Sequence, residues 1–428
     1  MDFCFKNSEK GFVAILMAIL VLFVMVGVGL YIGILAVGEQ KISSESVLGT
    51  QAYYASEAGI EDALLRINKK LHWISPYKIT VGGASATTTI SGALGGSRTI
   101  TSEGEIAKRA KKIEVICEVS TDKISFYYGA QVGDGGLVIG NNATIVGNVF
   151  SNGTIISGNG GSATGSVVVA RNGNKIKNLI VGGDAIVHTC EGSTIAGTLT
   201  YVSGGSVGDC TAGTEIKSRP NEVSPQDLPI SQSQIDKWKQ EAAARGIISN
   251  DVFLTDGSIN SLGPIQIGTP ENPKNLTVTN NARLKVLGTI YVTGNINFSN
   301  NSIIELDNNS YGSYSGTIVA DGKINIYNNS VERGSGAAGS YILILSTNNS
   351  VDPVSPAINV SNNADGAIFY TNLGMISLSN NMRAREITGY MVNLNNNAVV
   401  QYERGLENSN FSGGTGGAWE VTSWKEIE

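Results

Sequence analysis

Side chains able to do chemistry are few in this sequence and scattered along it. The 428 residues include two histidines, His72 and His188, and four cysteines, Cys4, Cys117, Cys190 and Cys210. No cysteines sit in the close pairs that a zinc site requires. Cys190 and Cys210 are separated by about one turn of a stacked-strand repeat. Neighbouring strands there lie about 4.8 Å apart, within disulfide range, so a bond between them and two free thiols are both open readings. Cys117 has no evident partner. Gly204-Gly205-Ser206-Val207-Gly208 has the form of a nucleophile elbow, but it lies in a glycine-rich β repeat, not between a strand and a helix. Gly334-Ser335-Gly336-Ala337-Ala338-Gly339 has the form of a dinucleotide fingerprint, yet a strand-like Tyr341-Ile342-Leu343-Ile344-Leu345 follows where a helix is needed. Glycan cleavage needs paired acids, or calcium with a base. The candidates Asp256, Asp307, Asp321, Asp352 and Asp365 are spread out, with no Asp-x-Asp repeat. The expectation is therefore a protein that is not an enzyme, with no catalytic residue, metal set or cofactor.

The elements that position these residues are mostly β. From about residue 129, short apolar runs are cut every six to eight residues by glycine or asparagine. Paired asparagines then mark successive corners: Asn280-Asn281, Asn300-Asn301, Asn308-Asn309, Asn328-Asn329, Asn348-Asn349, Asn362-Asn363, Asn380-Asn381 and Asn395-Asn396-Asn397. Asparagine tolerates the left-handed backbone that such corners need. Recurrence at roughly one coil length predicts a parallel β-helix, with an asparagine ladder formed by Asn280, Asn281, Asn300, Asn301, Asn328, Asn329, Asn348, Asn349, Asn362, Asn363, Asn380, Asn381 and Asn396. A β-sandwich is the alternative. Residues 221–250 interrupt the pattern with a proline-containing linker and a short helix. Ile235, Trp238 and Ala242 share one face of that helix, and Gly246 is its stop. The helix is expected to divide the solenoid into sections at 127–220 and 251–428, the second closed by a terminal strand whose Trp419 and Trp424 cover the open core.

Ahead of the repeats, residues 11–38 carry no charge. As a helix this run is about 42 Å long against a hydrocarbon core of roughly 30 Å, so it can span a bilayer. Lys6 and Lys10 before it predict a cytoplasmic N-terminus and an exported bulk. Gly29 and Gly33 form a small-xxx-small pair suited to close helix packing. Residues 39–72 continue helically, with Val47, Gln51, Tyr54, Ala58 and Leu65 on one stripe. Residues 73–126 turn to period two and predict a small antiparallel sheet, with a hairpin near residues 107–110. Lys108, Arg109, Lys111 and Lys112 at its end read as a solvated turn.

Ser8-Glu9-Lys10-Gly11-Phe12 resembles the leader that prepilin peptidase cuts in type IV pilins. The segment Gln51-Ala52-Tyr53-Tyr54-Ala55-Ser56-Glu57-Ala58-Gly59 resembles that of PilX-type minor pilins and pseudopilins. The resemblance covers about the first 70 residues. It implies a 1–11 leader cleaved between Gly11 and Phe12, N-methylation of Phe12, and a membrane helix over 12–38. It also implies residence in the inner membrane and then in a pilus, with prepilin peptidase and other pilins and minor pilins as partners. One departure is Leu16, where major pilins carry a glutamate at the fifth mature position. A filament subunit without that carboxylate fits best at the tip or in priming. The run 366–406 resembles the repetitive C-terminal domain of some pilus assembly proteins with this N-terminus. The β-helical head is expected to serve adhesion to a surface or polymer, with surface polysaccharide as a candidate ligand. The alternative is a membrane-anchored β-helix that binds or cleaves glycans.

Composition agrees with this division. The 53 glycines compare with about 30 expected from average usage, while only 15% of residues are charged and 41% are hydrophobic. Coiled coils and charged disordered chains are excluded, and nine prolines without a three-residue glycine period exclude collagen. A net charge of −6 argues against nucleic acid as a partner.

Overall fold

The computed structural model describes residues 8–69, 71, 73–91, 97–119, 121–413 and 419–427. Cys4 and the rest of residues 1–7, and His72, lie outside the described residues. The chain is mainly β, with a long N-terminal apolar helix, a small antiparallel sheet and large parallel-strand sheets. It divides into two compact units, one of Met1–Ser91, Thr99–Ile116 and Val421–Glu428, the other of Gly92–Arg98 and Cys117–Glu420.

In the first unit, helix α1 runs unbroken from Ser8 to Lys69. No proline interrupts it, and its first half is built from Leu, Ile, Val, Met and Ala. Its second half docks through Ala52, Ala55, Ser56, Ile60, Ala63 and Ile67, all buried. These are mostly small residues, so the helix axis comes close to the strands β1 (Tyr77–Val81), β2 (Ala84–Ile90), β3 (Ser97–Ile106) and β4 (Arg109–Val119). The approach is tightest at Gly104 of β3, where an added Cβ would lie 2.0 Å from the main-chain oxygen of Ala52. Thr88 and Ser102 share a buried hydroxyl contact of 3.1 Å beneath the helix. The β3–β4 turn places Ala107 and Lys108 at φ 47° and 64°, a primed hairpin turn whose twist matches the strands. At its end Arg109 pairs with Glu45 at 2.8 Å, and Lys111 pairs with Glu426.

The C-terminal strand does not close the solenoid, contrary to the expectation that Trp419 and Trp424 cover its open core. Trp419–Ile427 adds to β4 as the fifth strand of the small sheet, held by the Lys425–Glu114 ion pair at 2.7 Å and by a hydrogen bond from Thr422 Oγ1 to Ile116 O. The physical reason is the open edge of β4. That edge offers a row of unpaired main-chain groups together with alternating charges, and a strand carrying Lys425 and Glu426 satisfies both. Trp424 stays 38% exposed on it.

The second unit is a three-faced parallel β-helix. Along one face Ile290 pairs with Ile318, and Gly316–Ala320 with Ile342–Ser346; along the next, Leu276, Ile296, Ile324 and Ile358 stack in register. Alternation sends Ile296, Phe298, Ile324, Ile326, Ile358 and Val360 into one continuous core with Val149, Val167 and Ala185. The third face carries Arg283–Val286, Ile303–Leu306 and Val331–Arg333, and continues through single bridges from Val331 to Asp365 and from Asp365 to Arg383.

The order of coils in space differs from the order in sequence. Ile387 pairs with Ala130 and Val399 with Thr144, all in parallel, so the last coils of the later section stack directly on the first coil of the earlier one. The short helix therefore does not separate two sections. The end of the early section, at Ile216–Arg219, and the start of the late one, at Ile247–Ile248, lie at opposite ends of a single stack. The linker has to travel back along it, and its contacts record the route. Arg171 N donates to Val223 O at 3.1 Å, Gln131 Nε2 to Asp227 O at 2.8 Å, Tyr370 Oη to Ile230 O at 2.8 Å, and Gln266 N to Gly246 O at 3.1 Å. Helix α2 (Gln232–Ala243) is capped by Ser231, whose hydroxyl accepts from Gln234 N at 3.2 Å, and Gly246 at φ 134° follows its end. It buries Ile235, Trp238 and Ala242 in a second apolar layer with Leu343, Tyr370 and Phe411. Phe411 lies on Ser409–Ser412, which pairs with Thr121–Ile124 over the same face.

Candidate functional site

Two regions present organised chemistry to the surroundings, the N-terminal helix and one corner of the β-helix. From Phe12 to Val37 every large hydrophobic residue of α1 is exposed, Phe12 at 68% among them. Among the described residues this is the one helix long and apolar enough to cross a membrane. Gly29 and Gly33 have nothing within contact range, so each leaves a flat spot on the helix. Farther along, Val47, Tyr54 and Leu65 are 53%, 61% and 51% exposed. The stripe read from sequence is thus the outward face, while the small residues of the Ala52–Gly59 segment form the docking face. Sequence periodicity missed this because the small residues carry little hydrophobic signal, although close packing needs their lack of bulk.

At the β-helix corner, paired asparagines stack as two columns. Asn280, Asn300, Asn328, Asn362, Asn380, Asn396 and Asn141 form one; Asn281, Asn301, Asn329, Asn363, Asn381, Asn397 and Asn142 form the other. All fourteen have φ between 39° and 62°. In the first column each Nδ2 donates to the Oδ1 of the coil before, at 3.1 Å from Asn300 to Asn280, 3.0 Å from Asn328 to Asn300 and 3.1 Å from Asn362 to Asn328. The column passes from Asn396 to Asn141 at 3.1 Å, across the junction of late and early sections. Loops of variable length are tolerated between rungs, since bonded partners lie 16, 18, 20, 28 and 34 residues apart.

Asn348 and Asn349 are not rungs. They follow Ile342–Ser346 in a loop outside the corner, where Asn348 Oδ1 accepts from Ser350 N at 3.0 Å. The rung of that coil is supplied by Asn362-Asn363. Asn308 and Asn309 lie in a short helix, Asn308–Tyr311. The Asn141-Asn142 rung was missed, although both it and Asn280-Asn281 precede an alanine that turns into the core.

We expect Asn328→Ala to destabilise the β-helix by about 1–2 kcal/mol, from two lost amide bonds and a left-handed backbone that alanine resists. Asn328→Gly should recover the backbone part alone. Urea melts of the three proteins check this, and equal midpoints would show that the ladder contributes nothing.

The remaining candidates serve separate local roles. Cys190 and Cys210 form a disulfide, and Cys117 is a free, buried thiol. Asp307 caps the 308–311 helix by accepting from Ser310 N at 3.0 Å. Asp352 accepts from Val354 N at 3.0 Å. Asp321 anchors α2, taking Lys239 at 2.5 Å and Thr347 at 2.8 Å as well as the Tyr291 hydroxyl. Asp256 sits at a corner with φ 57°. His188 Nε2 lies 3.7 Å from Glu222, and Ser206 belongs to the β-helix coil ending at Val207–Gly208. Among the described residues no three metal-binding side chains converge.

Two carboxyls that sequence reasoning did not single out are fully buried. Glu332 is 0% exposed, and burial pushes its carboxyl up to about 8, with Asp365 nearby adding to the rise. Glu386 lies under the second apolar layer, raised well above the usual range by burial. Both stand in strands where neighbouring coils place apolar residues, Ile304 and Ile368 respectively.

Fold and surfaces together define a mainly β protein with a long apolar N-terminal helix and a parallel β-helical unit. No protein-family model matches the chain, and no curated protein sequence matches it. Among solved structures, the competence-associated pilin ComZ from Thermus thermophilus is a match at 11% identity, covering 89% of this chain and 97% of that one, with a TM-score of 0.30. A likeness of that size carries no weight for the function of this chain.

Proposed function

We propose that the chain is a minor pilin or pseudopilin of a type IV pilus-like system, processed between Gly11 and Phe12 and methylated on Phe12. Its β-helix would be displayed for adhesion. The observation that carries this reading is the two-part character of α1. Its first half finds no packing partner among the described residues, and its second half docks on a sheet through small residues while keeping Val47, Tyr54 and Leu65 outward. A helix of that design needs an apolar surrounding along its length, which a bilayer supplies before assembly and neighbouring pilin helices supply after it. Leu16 removes the carboxylate that would meet a subunit stacked above, because an unpaired charge in an apolar core is costly. That favours a tip or priming position.

Co-expression with a prepilin peptidase tests the reading. The expected product is shorter by residues 1–11, and Gly11→Leu abolishes the cut. An intact N-terminus in the unsubstituted protein, with the peptidase active on a known pilin, would overturn it. For the tip position, labelled protein should appear at filament ends; even labelling along the shafts would exclude it.

A further inference from the structure

At the corner where the third face of the β-helix turns into the first, a cavity of about 330 Å³ opens. Arg333, Asp365, Arg385 and Glu403, contributed by successive parts of the stack, line it together with Tyr341 and Glu332. The volume is at the lower end of the range for small-ligand pockets. The loop from Gly334 to Ser340 contributes both of its ends to the lining. It is a built loop, in which Ser335 N donates to Ser340 Oγ at 2.9 Å and Ala337 N to Ser335 Oγ at 3.2 Å.

The polar groups around the cavity are arranged in a particular way. Arg385 is tied to Glu403 at 3.1 Å, and Tyr341 Oη donates to the other oxygen of Glu403 at 3.2 Å. Arg333 is tied through its Nε to Glu305 at 3.1 Å. Neither guanidinium is therefore a bare cation waiting for an anion. Asp365 is held by main-chain bonds to Ser330 and Glu332 and lines the cavity. Glu332 is fully buried. One of its oxygens accepts from Ser330 Oγ at 2.5 Å, and the other has no hydrogen-bond partner. A buried acceptor without a partner is costly and uncommon in native proteins.

Donors on charge-compensated guanidiniums thus line the cavity together with the carboxylate acceptors of Asp365 and Glu403. A carboxylate or phosphate ligand would meet the acceptors and be repelled. An ammonium would meet the guanidiniums. A hydroxyl both donates and accepts, so adjacent hydroxyls satisfy the two kinds of group at once. We infer that this corner cavity is a binding site for a neutral, hydroxyl-rich sugar unit, held by Asp365 and Arg385, with Tyr341 and Glu403 fixing the arginine. The inference deepens the adhesion part of the proposed function by naming a ligand class and a place for it. It is independent of leader processing.

The test uses the full chain, solubilised in detergent and applied to an array of neutral hexose and N-acetylhexosamine oligosaccharides printed beside alginate and polygalacturonate. The expected result is retention on one or more neutral glycans, reduced about tenfold or more by Asp365→Asn and by Arg385→Gln. Tyr341→Phe, which removes a single hydroxyl, should weaken binding less, and Asn349→Ala in a loop outside the cavity should leave it unchanged. Thermal melts of the variants separate lost binding from lost folding, and Tyr341→Phe serves if the charge variants melt early. Retention on the uronic polymers alone, no retention at all, or retention indifferent to all three cavity variants would overturn the inference. The filament reading would survive any of these outcomes, because it fails only on an uncut leader.

Discussion

Gly104→Val is expected to destabilise the small unit by about 3 kcal/mol or more, enough to release the second half of α1 from its sheet. A Cβ at this position would lie 2.0 Å from Ala52 O and 2.6 Å from Ser56 N. Both are main-chain atoms of a continuous helix, so no rotamer change relieves the clash. The whole helix has to lift. Lifting it uncovers Ala52, Ala55, Ile60 and Ala63 and breaks the fit over Thr88 and Ser102. Overpacking in a core usually costs about 1–3 kcal/mol, and a rigid backbone neighbour places this case at the upper end. Amide hydrogen exchange is the direct measurement. Protection in β2 and β3 should fall, while the β-helix strands stay protected. Wild-type protection in β2 and β3 would refute the close packing.

Glu332→Gln should weaken the fall of β-helix stability with rising pH near neutrality. In the folded protein the Glu332 carboxyl holds its proton up to about pH 8, owing to burial first and the nearby Asp365 second. In the unfolded chain it ionises at an ordinary value, near 4.3. The folded state therefore binds the proton more tightly. The stabilisation is complete below the unfolded value, declines by up to about 1.4 kcal/mol per pH unit above it, and levels off beyond pH 8. Glutamine keeps the acceptor for Ser330 Oγ and has no charge to lose. Below pH 4 the wild type should equal or exceed the variant; at pH 8 the variant should be more stable by several kcal/mol. Glu386 shifts in the same direction and is present in both proteins, so the difference between their urea-melt curves isolates Glu332. A difference curve flat from pH 4 to 8 would show that Glu332 does not carry the effect.

Several elements were legible in the residues because their signals are local. An uncharged run from 11 to 38 is a long apolar helix wherever it is placed. The turn at Ala107-Lys108 sits between two alternating strands and could hardly be read otherwise. Ser231 and the face of Ile235, Trp238 and Ala242 mark α2 by capping and period alone. Paired asparagines recur at corners because few other residues accept two successive left-handed positions.

Errors arose where the answer depended on partners distant in sequence. Asn348-Asn349 has the spelling of a rung but falls in a loop, since coil register and not spelling selects the rung. Trp419 and Trp424 suggested a lid for an open core, yet their strand found the free edge of β4. The cavity around Asp365 and Arg385 left no trace in sequence, because its lining comes from separate coils and becomes adjacent only on stacking. Glu332 looked like an ordinary strand glutamate until the register with Ile304 placed it inside.

By itself, then, the sequence determined the elements of this protein: an apolar helix, a short sheet and a set of asparagine-cornered coils. Each follows from the conformational preference or the burial of a few neighbouring residues. Tertiary structure alone decided the order in which the coils stack. Parallel coils present much the same edge to one another, so local pattern cannot tell which coil meets which. The choice falls to pairings such as Ile387 with Ala130 and Asn396 with Asn141, and to a linker of the right reach to carry the chain back along the stack.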